Sequence, residues 1–262
     1  MTKPLEFAVD LAERAGKLLH DRFNLMGTHS NLKSDRSVVT EADWAADRMI
    51  AEAIRKAFPE DGIVSEELQP ISPPNTQPVW VVDPLDGTTN FSLGLPFWGV
   101  SIARLIDGWP NLAALYFPTI NELYSVQRGM GAYVNGELLQ VKPPEKDQPA
   151  AFFACCSRTH RRYQVEVRYK PRILGSAAYN LCAIARSVAL VGFEASTKIW
   201  DLAGGWLLIQ EAGGSIEPYE GRSPFPMQPA FDYRTADFPV VTAATSELAA
   251  RTRSQIHPRQ TA

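Results

Sequence analysis

Histidine and cysteine are scarce in this chain: four of the first (His20, His29, His160, His257) and three of the second (Cys155, Cys156, Cys182) among 262 residues. The histidines follow no ligand pattern such as H-x-x-x-H, and no cysteine has metal-ligand spacing, so a zinc site of nitrogen and sulfur donors is not expected. Three cysteines cannot all pair. They read as small core residues in a reducing compartment. No stretch approaches the roughly 20 apolar residues of a membrane span. Charges recur through the first 23 residues, which therefore lack the apolar core of a signal peptide. The default expectation is a cytoplasmic protein. A net charge of −3 provides no basic field, so neither nucleic acid nor an anionic membrane is expected as a partner. An anionic small molecule stays open, because bound cations add positive charge that the total omits. A G-x-x-x-x-G-K-[ST] phosphate loop is also absent.

What is present is ordinary globular composition, 45% hydrophobic and 21% charged, in a length that suits one large domain or two packed halves. Leu5, Ala8, Leu11, Ala12, Ala15, Leu18, Leu19 and Phe23 share one stripe of a helix from residue 4 to about 25. After a polar loop, Thr28 to Ser37, a second helix starts behind Thr40 and is expected to turn Trp44, Met49, Ile50, Ile54 and Ala57 inward. Pro59 and Gly62 stop it. The Pro-rich residues 70–78 suit a surface excursion. Val79 to Val82 read as a buried strand. From Trp98 to Val141 the pattern is one of hairpins, with Asp107-Gly108 and Asn135-Gly136 at turns that need positive φ. Beyond a polar link at 143–148, strands (151–155, 188–193, 240–243) alternate with helices (177–186, 202–211), an α/β arrangement. The expected division is an α+β half, 1–142, and an α/β half, 143–262.

The informative stretch is Val79-Trp80-Val81-Val82-Asp83-Pro84-Leu85-Asp86-Gly87-Thr88-Thr89-Asn90-Phe91. A buried strand ends at Asp83, Pro84 breaks it, and Asp86 follows three residues on, so both carboxylates can face one side with the Leu85 carbonyl between them. Oxygen donors of this kind suit magnesium. Gly87 removes a side chain where another group must approach the backbone. Thr88 and Thr89 then open a short helix whose free N–H groups can take an anion. A plain turn with Asp as a helix cap is the alternative. Three other acidic segments are equally two-sided. Asp43 in Thr40-Glu41-Ala42-Asp43 fits a capping-box variant as well as a ligand. Glu66, after Ile63-Val64-Ser65, fits an exposed loop as well. Asp201, in Ile199-Trp200-Asp201-Leu202-Ala203-Gly204-Gly205, fits a helix cap as well.

Taken together these segments resemble the inositol monophosphatase family, lithium-sensitive and magnesium-dependent sugar phosphatases. The likeness runs through the Asp83 and Asp201 signatures, Glu211-Ala212-Gly213-Gly214, Tyr116-Phe117-Pro118, Gly129-Met130-Gly131-Ala132 and Asn135-Gly136, nearly the whole chain. The resemblance implies an αβαβα sandwich, usually a homodimer, that uses two to three Mg²⁺. It implies that Glu66, Asp83 and the Leu85 carbonyl hold the first metal, and Asp83, Asp86 and Asp201 the second. Glu66 also reaches a third through water. Thr88 and Asp43 orient the attacking water, the Gly87 and Thr88 amides hold phosphate, and Glu194 hydrogen-bonds a substrate hydroxyl. A carboxylate suits that last role because it accepts without donating. A surface acid at a strand end is the alternative for Glu194, and a solvated lysine for Lys198 near the rim.

Two departures stand out. Ser37 occupies an area where inositol-type members carry an aspartate, which makes the Lys33–Val38 loop more like relatives acting on histidinol phosphate or adenosine bisphosphate. Leu93 replaces the histidine of Phe-x-His-Gly. The expected function is Mg²⁺-dependent hydrolysis of inositol 1-phosphate or a similar polyol phosphate by metal-activated water. Rivals are histidinol phosphate, then fructose 1,6-bisphosphate or adenosine 3',5'-bisphosphate. From another class, a non-catalytic regulator that binds a partner is the alternative.

Overall fold

A computed structural model describes residues 3–24, 30–32, 38–67, 78–143, 151–229 and 231–259, with backbone only at 24, 30–32 and 38–40. The Lys33–Val38 departure and the Pro-rich excursion lie almost wholly outside the described residues. The first part of the chain carries α1 (Lys3–Asn24), β1 (Ser30–Leu32), β2 (Val38–Thr40), α2 (Glu41–Ala57), β3 (Gly62–Ser65), β4 (Val79–Asp86), α3 (Thr88–Ser92), β5 (Gly99–Ile106), β6 (Trp109–Phe117), β7 (Glu122–Gln127), β8 (Gly131–Val134) and β9 (Glu137–Leu139). The second carries β10 (Phe152–Cys155), α4 (Thr159–Arg162), β11 (Tyr163–Val165), β12 (Lys170–Arg172), α5 (Ala177–Ala185), β13 (Ala189–Glu194), α6 (Ile199–Glu211), β14 (Ser215–Pro218), β15 (Val240–Ala243), α7 (Ser246–Arg253) and β16 (Ile256–Pro258).

Strands β3 to β9 form one sheet in sequence order, antiparallel except for the β3–β4 pair. Its hairpins turn where expected, with positive φ at Asp107, Gly108, Asn135 and Gly136. A second sheet has the order β12-β10-β13-β15-β14, and its first three strands run parallel. Alternation along β4 assigns its faces: Trp80 and Val82 join the core under α1 and α2, while Val79 and Val81 join the core under α5 and α6. The second sheet covers the far side of α5 and α6, and its outer face packs Phe153, Val191, Phe193 and Val241 against Leu248 and Ala249 of α7. The layers are therefore α, β, α, β, α, as an αβαβα sandwich requires.

Two local expectations need correction. Trp44 is 47% exposed, and Ala57 is exposed too. The inward stripe of α2 runs instead through Ala42, Asp43, Ala46, Asp47, Ile50 and Ile54. An apolar pattern search rejects that register because it places two carboxylates inside. The second correction concerns Pro84, which does not end β4. The register against β5 slips by one residue between Asp83 and Asp86, and proline is tolerated at such a bulge because no ladder N–H is needed there.

Helices α5 and α6 pack closely at Gly205, where a Cβ would stand 2.4 Å from Leu181 Cδ1 and 2.6 Å from its Cβ. Overpacking of this kind costs about 1–3 kcal/mol, against roughly 1 kcal/mol gained in helix propensity. Gly205→Ala is accordingly expected to lower the urea midpoint at unchanged m-value. A midpoint at or above that of the parent would contradict this packing.

Candidate active site

The bulge in β4 turns consecutive polar groups toward α2, α5 and α6. Asp83 is fully buried, and its Oδ1 accepts the Leu85 N–H at 3.0 Å, which tightens the turn. Gly87 follows at φ 88°, and a Cβ there would lie 2.7 Å from the Phe97 carbonyl oxygen. Both conformation and space require glycine. Thr88 then opens α3. Its hydroxyl lies 3.2 Å from Asp43 Oδ1 and 3.0 Å from the Leu85 carbonyl. One O–H proton can serve only one of these acceptors at a time, and the hydroxyl lone pairs remain available to a water.

Asp201 stands in the first turn of α6 and accepts the Lys198 N–H at 2.8 Å. The capping alternative therefore describes what Asp201 does, yet the same carboxylate has a second set of neighbours. Carboxylate oxygens of Asp83, Asp86 and Asp201 all lie within 4.8 Å of one another. Asp86 is buried against the start of α5: Ser176 Oγ donates to its Oδ2, and the Ala177 N–H donates to Oδ1 at 3.1 Å. Ser176 in turn caps α5 by accepting the Tyr179 N–H. Asn90 clamps the approach, donating to the Phe97 and Leu174 carbonyls at 2.6 and 2.7 Å.

Burial raises every carboxyl of this trio, and repulsion from neighbouring acids adds to it at Asp83 and Asp201. Asp83 is pushed well above the usual range by burial, then by Glu66, Asp86 and Asp201. Burial takes Asp86 to about 6, against the opposing pull of Ser176 and the α5 amides. Asp201 reaches about 8 through burial, then Asp86 and Glu66. Glu66 is half-buried just past β3, its N–H donating to the Val82 carbonyl at 3.2 Å. It lies outside the tight trio but close enough to bias Asp83 and Asp201.

Glu194, at the end of β13, is 3% exposed and so is no surface acid. Its Oε1 accepts Asn180 Nδ2 at 2.6 Å, while Oε2 has no protein partner among the described residues. Burial lifts it to about 8, helped by Asp86 and Asp201. Lys198 pairs with Asp237 at 3.0 Å and donates to the Ala236 carbonyl. Leu93 is exposed.

The donors brought together are all oxygen, three carboxylates with that of Glu66 near by. That chemistry fits a hard divalent cation such as Mg²⁺ rather than zinc. Two participants escaped the sequence reading, Asn90 and Asn180. Ser176 lies in Gly175-Ser176-Ala177, which reads along the chain as a loop flanking the substrate pocket with no individual role. Its bond to Asp86, 90 residues away, carried no local signal.

A sequence model described as the inositol monophosphatase family matches residues 1–258. A histidinol-phosphatase from Chlorobaculum parvum is 32% identical over 233 residues, covering 85% of this chain and 88% of that protein. A Nus factor SuhB from Pasteurella multocida is also 32% identical over 233 residues, covering 84% and 87%. Among solved structures, the extragenic suppressor protein suhB of Bartonella henselae superposes with a TM-score of 0.83 at 26% identity, over 97% of this chain and 98% of that one. The fold, the acidic centre and these likenesses define a phosphoric monoester hydrolase. The chain belongs to the inositol monophosphatase family.

The raised carboxyls make a signed statement about pH. Asp86 and Asp201 bind protons more tightly folded than unfolded, so their contribution to stability is complete below about pH 4 and lost as pH rises through about 6 and about 8. In EDTA, the Tm of the metal-free protein should fall between pH 5 and 8, and Asp201→Asn should flatten that fall. Differential scanning fluorimetry across the range checks it. Equal slopes for the two proteins would deny repulsion this role.

Proposed function

We propose that this enzyme hydrolyses a polyol phosphate, inositol 1-phosphate foremost, with Mg²⁺ held by Glu66, Asp83, the Leu85 carbonyl, Asp86 and Asp201. The observation that carries the metal is the trio of carboxylates within 4.8 Å, an arrangement that costs free energy unless protons or a cation neutralise it. When bound, the metals neutralise the carboxylates and the phosphate and lower the pKa of water toward neutrality. Phosphoryl transfer otherwise needs positioning more than covalent chemistry, and the chain's own residues provide it. Thr88, hydrogen-bonded to Asp43, offers its lone pairs to the attacking water and passes the water's proton toward that buried carboxylate. The Gly87 and Thr88 amides hold phosphate oxygens. Asp86 is locked by Ser176 and the start of α5, so it needs little reorganisation when the ester arrives. No thiolate serves as nucleophile: burial pushes Cys155 up to about 12 and raises Cys156 and Cys182.

Glu194 supports the polyol. Its unpartnered Oε2 accepts from a hydroxyl, and burial makes that bond count more than it would at a surface. The same oxygen would also accept from an ammonium group, and the likeness to a histidinol-phosphatase favours histidinol phosphate as the second reading.

Asp86→Asn should keep the fold but lower kcat/KM at least ~10²-fold, because cation stabilisation of the transition state is worth several kcal/mol. Unchanged magnesium-dependent turnover in that variant would refute the metal assignment. A panel of inositol 1-phosphate, histidinol phosphate, fructose 1,6-bisphosphate and adenosine 3',5'-bisphosphate separates the substrates. Strong preference for histidinol phosphate with negligible inositol 1-phosphate turnover would replace the first reading by the second.

A further inference from the structure

The buried side of α2 carries two carboxylates one helical turn apart, and only Asp43 has a part in the chemistry above. Asp47, 2% exposed, is the other. Ser65 Oγ donates to Asp47 Oδ1, and Ser65 is itself 1% exposed. Burial lifts Asp47 to about 6, with Ser65 pulling it back down, so the position carries a cost that an apolar residue would avoid. Ser65 is the last residue of β3, directly before Glu66. Among the described residues β3 is the edge strand of its sheet, paired with β4. The end of such a strand has one ladder to define it, and its other support is the bond across to α2. Asp43, one turn earlier on the same helix, meets Thr88, which also lies within hydrogen-bonding distance of the Leu85 carbonyl. α2 thus ties to two of the three chain segments proposed to present cation donors, through Asp43 to Thr88 just past β4 and through Asp47 to the end of β3.

We infer that Asp47 and Ser65 are positioning residues for magnesium, a latch between α2 and β3 that sets the reach of Glu66 toward Asp83 and Asp201. Glu66 is the acid that such a latch positions, since it follows Ser65 directly and stands outside the trio, its N–H bonded back to the Val82 carbonyl. The inference rests on Glu66 being a metal ligand, as proposed above. Outer contacts that orient ligands typically account for 10–100-fold in metal affinity, and this one acts through the neighbouring residue, which puts it at the low end.

The test measures Mg²⁺ binding directly, by isothermal titration calorimetry and by the magnesium-induced rise in Tm of the full chain, beside kcat at saturating metal. Ser65→Ala and Asp47→Ala should each weaken Mg²⁺ binding about tenfold and leave kcat at saturating metal within about threefold. The double variant should be no weaker than either single one, because both remove the same bond. Asp47→Asn, which retains an oxygen acceptor, should restore most of the affinity. A purely structural role would lower Tm without moving the affinity, and that outcome overturns the latch. Additive losses in the double variant overturn it as well. Glu66→Gln separates the two levels. If it leaves Mg²⁺ binding unchanged, the ligand assignment fails and the latch with it. If it weakens binding while Ser65→Ala does not, only the latch fails.

Discussion

Carboxylates brought together in a dry pocket repel one another, and the arrangement of this enzyme follows from that repulsion. Asp83, Asp86 and Asp201 come from a strand bulge and from a helix start more than a hundred residues later, with Glu66 biasing them from one side. Held without a counter-charge, such a group binds protons above the normal carboxyl range. With a divalent cation it becomes a site. The free energy stored in the repulsion is recovered when the cation binds, and this is why the assembly is built from rigid parts rather than loops.

Those rigid parts divide the labour. The seven-stranded sheet presents Asp83 and Asp86 from one strand, and the bulge at Pro84 lets both acids face the same side. α6 delivers Asp201 from the layer beneath, and α5 meets Asp86 with its capped first turn. α2 approaches from the opposite face with Asp43 and Asp47. Each helix that touches the site also fills part of a core with apolar residues, so displacing a ligand means repacking a layer. Glu194 and Asn180 stand in the second sheet and in α5, and the start of that same α5 locks Asp86.

Much of this was legible along the chain, and the failures have a common cause. The Asp83–Phe91 stretch and the Asp201 segment each left a helix cap open beside a metal ligand, and only their joint resemblance to one family implied a metal centre. α1, the two hairpin turns and the alternation of the second half followed from period and turn chemistry. The register of α2 was misread because Asp43 and Asp47 point inward, and hydrophobic patterning treats an inward carboxylate as a contradiction. Pro84 was misread as a terminator because a bulge is a property of two strands, not one. Glu194 looked as much like a surface acid as a ligand until its burial was known.

By itself, the sequence determined the chemistry on offer: oxygen donors, no soft ligands, a glycine where the backbone must turn left-handed, and a family likeness spanning the chain. It did so because those features depend on residue type and short spacing. Only the tertiary structure decided which acids share a pocket, that Ser176 holds Asp86, that Asp47 reaches Ser65, and that Lys198 pairs with Asp237. Such pairings link residues from 18 to more than a hundred positions apart. They exist only once the layers have packed, because burial is what makes those charges matter to one another.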